Sequence, residues 1–134
     1  MTVEVTIDSP ALYIAGPITG ISDYKAIFDR AWHRLVAAGY QTCDPSFHDP
    51  ERTPLRRESD DPPTWHDWMR PALSALTRVD GVALLPGWED SEGASWEKRI
   101  AEAVLGIPAL PLDDWIKLAG RLPEPDECWK KVQP

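Results

Sequence analysis

Two short runs of this chain are apolar from end to end, and each breaks straight into a Gly/Pro loop. Residues 11–16 (ALYIAG) run into Pro17-Ile18-Thr19-Gly20, and residues 82–85 (VALL) run into Pro86-Gly87. A strand with no polar face must be covered on both sides, as in a parallel sheet between two layers of helices. Helical repeats lie between such runs. From Ser22 or Asp23 onward, Tyr24, Ile27, Phe28, Ala31, Leu35 and Ala38 recur at helical spacing, and Gly39 closes the helix. Residues 40–43 read as a second strand, ending at Asp44-Pro45. Thr64 caps a helix over roughly 65–78, in which Pro71 predicts a kink or a late start. A third helix covers 94–105, Gly106 to Leu110 leads into a fourth strand, and a short helix lies near 113–119.

Strands alternating with helices give parallel βαβ units with right-handed crossovers. The expected fold is therefore a single α/β domain, a flavodoxin-like or Rossmann-like three-layer α/β/α sandwich over 1–119, with a tail over 120–134. Residues 45–64 are rich in Pro, Asp, Arg and Ser and lack periodicity, which suggests a lid near a ligand. In such a sheet both Gly/Pro loops lie at the carboxyl ends of their strands, where these folds bind ligands.

At 134 residues the chain is long enough for one core but not two. Its net charge of −8 argues against duplex nucleic acid as a partner, while leaving room for a small anionic nucleotide at a helix N-terminus. No run approaches the ~20 apolar residues that span a bilayer. The first residues are acidic and carry no basic leader, so the expected compartment is the cytoplasm and no membrane partner is expected. Cys43 and Cys128 form no CxxC, and His33, His48 and His66 are scattered, so neither a metal nor another cofactor is expected.

Glu97 is the most informative single residue. In a helix beginning at Ala94 it stands in the first turn and shares a face with Ile100, Ala101 and Val104. A carboxylate on a buried stripe is costly unless its surroundings stabilise it, and a helix N-terminus contributes ~0.3–1 kcal/mol of that. Glu97 is thus either a residue that complements the helix dipole, or a carboxylate nucleophile or ribose anchor at the mouth of the sheet. Gly16 to Gly20 is neither a P-loop nor a G-x-G-x-x-G fingerprint, yet its glycines let backbone amides approach a ligand closely. Tyr13 precedes that loop, and strand tyrosines more often pack than react. Ser91 and Gly93, just ahead of Glu97, offer a hydroxyl and an amide to a phosphate, or else form an ordinary loop. Among Trp65, Trp68, Trp88 and Trp96, Trp88 is the best platform for a nucleobase. Trp65 and Trp96 suit packing or a subunit interface.

Together, YIAGPITG, DGVALLPGWEDSEGASWE and AEAVLGIPAL resemble the nucleoside 2-deoxyribosyltransferase superfamily, which includes deoxyribonucleoside-monophosphate N-glycosidases; the resemblance covers roughly residues 11–112. It implies cleavage or transfer of an N-glycosidic bond through a covalent deoxyribosyl-glutamate. Glu97 matches the nucleophile, Tyr13 the tyrosine that orients it, and Gly16, Pro17, Ile18, Thr19 and Gly20 the loop facing ribose and base. Ser91 matches the serine with which the monophosphate-cleaving branch holds its 5′-phosphate. Relatives often carry a ribose-contacting aspartate where this chain has Ala72, and Asp67 or Asp44 are the residues nearby that would substitute. The resemblance further implies a nucleoside or nucleotide as partner, no cofactor, and a homodimer or higher oligomer. Seven tryptophans in so small a chain point the same way. Two other readings use the same crevice: a nucleotide-binding protein that has lost catalysis at Ala72, and an NAD glycohydrolase.

Overall fold

The computed structural model describes residues 5, 6, 8–18, 20–43 and 64–124, with the side chain of Trp68 left aside. The expected lid over 45–64 and most of the expected tail therefore lie outside the described residues, as do Thr19 and Asp44.

Four parallel strands form one sheet in the order β2-β1-β3-β4. They are β1 (Ala11–Ala15), β2 (Gln41–Cys43), β3 (Gly81–Leu84) and β4 (Ala109–Pro111). Four helices join or follow them: α1 (Tyr24–Ala37), α2 (Trp65–Leu76), α3 (Glu92–Ile100) and α4 (Leu112–Leu118). The register sets Tyr13 beside Cys43 on one side and Val82 on the other. Side chains alternate across a strand, so β1 divides its residues between two layers. Leu12 and Ile14 pack with Phe28, Leu35 and Trp115 under α1 and α4. Tyr13 and Ala15 pack with Ala72, Leu76, Ala94 and Ala101 under α2 and α3. Both layers are apolar because both faces of the sheet are covered, and the expected three-layer α/β/α domain is what forms.

The chain leaves β1 toward β2 and leaves β3 toward β4 in opposite lateral directions. Right-handed crossovers therefore put α1 and α3 on opposite faces, and a crevice opens between the carboxyl ends of β1 and β3. At the other end of that strand pair, the Asp80 carboxylate accepts the Ala11 amide at 2.8 Å while the Asp80 amide donates to the Ala11 carbonyl at 2.7 Å.

Two helices depart from expectation. α2 starts at once, because Thr64 and Asp67 form a reciprocal capping box, and Pro71 is carried inside the helix. α3 starts at Glu92 rather than Ala94, because Ser91 caps it, and its last stretch, Ala101–Leu105, widens into a π turn. The wider turn rotates Val104 off the inward stripe, and that side chain is 72% exposed. Among the described residues, no helix is long and apolar enough to cross a membrane.

Candidate active site

The buried face of α3 carries Ala94, Glu97 and Ala101 toward the sheet. Small residues on both sides let the helix lie close to β1, and Glu97 is the one polar side chain among the buried residues described. The hydroxyl of Tyr13, itself fully buried, acts on its carboxyl in the sense that favours the ionised form. The two residues thus meet inside the layer between the sheet and helices α2 and α3, Tyr13 from the middle of β1. Burial pushes the Glu97 pKa up to about 8, against the smaller opposing pull of the Tyr13 hydroxyl. The dipole support expected for Glu97 is not there. Glu97 is the sixth residue of a helix that begins at Glu92, beyond the first turn in which a helix N-terminus favours negative charge.

The two Gly/Pro loops touch. A Cβ on Gly16 would stand 2.8 Å from the Leu85 Cβ, and one on Gly87 would stand 3.4 Å from Pro17. Gly87 also has φ +88°, open to glycine but strained for other residues. Beyond them the expected loop residues disperse. Ile18 packs against the α1/α4 cluster, away from Glu97, and Gly20 is exposed at φ +79°.

Ser91 accepts the Ala94 amide at 3.2 Å and so serves as the α3 N-cap. A hydroxyl that accepts one bond still has a proton to donate, so this does not consume its capacity for a phosphate. Gly93 faces Met69 and Trp65 across the α2–α3 packing rather than the crevice. Asp67 belongs to the cap of α2: its carboxylate accepts the Thr64 amide at 2.8 Å. Ala72 is buried in the same cluster as Tyr13.

Trp88 opens a short 3-10 turn, Trp88–Asp90, after β3. It packs against the cluster containing Tyr13 and also lines a cleft of about 340 Å³ with Arg34, Leu85 and Leu112, a cleft lined by neither Tyr13 nor Glu97. Trp65 and Trp96 are 40% and 43% exposed and line a separate groove between α2 and α3. Two residues at the Trp88 turn were not singled out from the sequence. Lys98 places its ammonium 5.4 Å from the Trp88 ring centroid, and the Ser95 hydroxyl donates to the Trp88 carbonyl at 3.3 Å. The i,i+4 spacing of Lys98 and Glu102 was a readable signal, but the ring that Lys98 covers lies on another element.

A family model described as Domain of unknown function (DUF4406) matches residues 10–108, which takes in both loops, Tyr13 and Glu97. No curated protein and no solved structure matches the chain.

Proposed function

The chain belongs to the DUF4406 family, and we propose that it cleaves the N-glycosidic bond of a deoxynucleoside or its 5′-monophosphate, with Glu97 as nucleophile and Tyr13 orienting it. The observation that carries this reading is the buried Tyr13–Glu97 pair beneath α3 on one face of a parallel sheet. A lone carboxyl held in an apolar layer is costly to folding, and such costs concentrate at functional sites. The resemblance of YIAGPITG and DGVALLPGWEDSEGASWE to the deoxyribosyltransferases supports the choice of bond.

In the first step an oxygen of the ionised Glu97 carboxylate attacks the anomeric carbon. The C–N bond breaks, and its electron pair leaves with the base, which takes up a proton. In the second step water attacks the same carbon, the ester C–O bond breaks, Glu97 is regenerated as carboxylate, and a proton is released. A second base in place of water makes the reaction a transfer. Two displacements give overall retention. The Tyr13 hydroxyl favours the ionised form of Glu97 and fixes its direction. Ser91 and the α3 N-terminus supply a donor and a favourable dipole for a 5′-phosphate.

A second reading, a nucleotide-binding protein without turnover, draws on Ala72, which sets an apolar methyl beside Tyr13 where a carboxylate would assist the sugar. One assay separates the two. The protein is incubated with deoxynucleosides, their 5′-monophosphates and NAD, and free base is measured by chromatography. Base release from the deoxy substrates is the expected result. No release from any substrate, with a nucleotide still raising the melting temperature, supports the binding reading instead.

A further inference from the structure

Lys98 follows Glu97 directly but points to another element. Its ammonium pairs with the Glu102 carboxylate one turn on and lies over the Trp88 ring, 5.4 Å from the centroid. The lysine side chain is 29% exposed, so the contact is partly withdrawn from water, where a cation over an indole gains most. Glu102 is the second residue of the π turn, two residues beyond the end of regular α3, and restrains Lys98 in place over the ring.

The same turn is tied to α3 at two other points. Ser95 donates to the Trp88 carbonyl at 3.3 Å, and the Ser91 amide donates to it at 3.0 Å. These bonds hold the backbone of the turn. Neither acts on the indole, whose charged contact is Lys98. The ring in turn packs against the cluster that contains Tyr13.

We propose that Lys98 is a positioning residue: held by Glu102, it clamps the Trp88 ring and so fixes it as a wall against the cluster that contains Tyr13. This rests on the N-glycosidase reading for what the wall is used for, but the clamp itself is a property of the fold. Trp88 does not swing freely as a stacking surface. The lysine lies over the indole, whose ring also packs against the cluster that contains Tyr13.

The test is Lys98→Met, which keeps length and apolar volume and removes the charge. Lys98→Arg, which retains a cation able to stack on an indole, is the rescue variant. Amide hydrogen exchange is followed across residues 86–91 in the full chain, beside the kinetics of base release from a 2′-deoxynucleoside 5′-monophosphate. In Lys98→Met, exchange at 88–91 rises about fivefold, the size expected for losing one partly desolvated cation–π contact. Exchange in the interior of α3 stays as in the wild type. KM rises while kcat holds, and Lys98→Arg restores both exchange and KM. Unchanged exchange at 88–91 overturns the clamp, whatever happens to turnover. A uniform rise across α3, or failure of arginine to rescue, also overturns it, because Lys98 would then act only on helix stability. If the wild type releases no base, the N-glycosidase reading falls, while exchange at 88–91 still decides the clamp.

Discussion

The Tyr13 hydroxyl on β1 lowers the pKa of the Glu97 carboxyl on α3, so two fully or nearly buried polar groups act on each other within a layer otherwise built of alanine, leucine and valine. The arrangement gives Glu97 two properties that pull apart. Desolvation favours the neutral acid, whereas attack on an anomeric carbon needs the carboxylate. Tyr13 opposes the desolvation but does not outweigh it. Most of the consequences of the proposed chemistry follow from this opposition.

The first concerns pH. With its pKa raised to about 8, Glu97 is mostly protonated at neutral pH. If the carboxylate is the nucleophile, kcat/KM for base release should rise with pH and level off above about 8. A rate profile from pH 5 to 10 on one deoxynucleotide checks this. A rate that falls across the same range would make Glu97 a proton donor instead.

Stability should move the other way. The unfolded chain releases the Glu97 proton near the ordinary value of 4.5, and the folded protein keeps it up to about 8. Between those limits the native state binds more protons, so its stability declines as pH rises and is flat beyond. Glu97→Gln removes this slope. The variant should gain on the wild type progressively from pH 4.5 to 8, by ~5 kcal/mol at most, and should release no base. Urea denaturation of both proteins at pH 4 and pH 8 measures the difference. A constant gap at the two pH values would mean that Glu97 titrates normally.

Tyr13→Phe keeps the ring and removes the hydroxyl. A hydrogen bond to a charged group contributes ~1.5–3 kcal/mol, so base release should fall about tenfold to a hundredfold. The midpoint of the pH profile should also move above 8, because the one influence lowering the Glu97 pKa is gone. A drop in rate with an unmoved midpoint would assign Tyr13 to packing alone.

The sheet was legible in the sequence for a simple reason. ALYIA and VALL have no polar face, so each had to be a central strand, and the loops after them had to share one edge. The start of α3 was harder to see, since Asp90-Ser91-Glu92-Gly93 reads as loop until Ser91 is recognised as a cap followed by a glutamate in the first turn. That two-residue displacement carried Glu97 out of the first turn and removed its expected dipole support. The π turn was hidden because residues 101–105 keep helical spacing, while Gly106, at φ +67°, and the bond from the Ile107 amide to the Ala101 carbonyl belong to the chain beyond them. The neighbours of Gly93 and Ile18 were hidden for a related reason. Nearness in sequence to a site does not determine which layer a residue faces.

Ser91 offers the sharpest test of the ligand, because the substitution that probes it leaves the helix intact. Ser91 caps α3 through the Ala94 amide, and aspartate is as good an N-cap as serine. Ser91→Asp should therefore melt within about 0.5 kcal/mol of the wild type, the range of a harmless surface change. The added negative charge falls where a 5′-phosphate would sit if this serine and the helix N-terminus hold it. The wild type should bind a deoxynucleoside 5′-monophosphate more tightly than the matched nucleoside. The variant should reverse that order, by repelling the phosphate while leaving the nucleoside nearly unaffected. Isothermal titration with one such pair against both proteins gives the four affinities needed. Equal affinity of the wild type for nucleotide and nucleoside would remove the phosphate from this end of α3 and leave Ser91 as a helix cap alone.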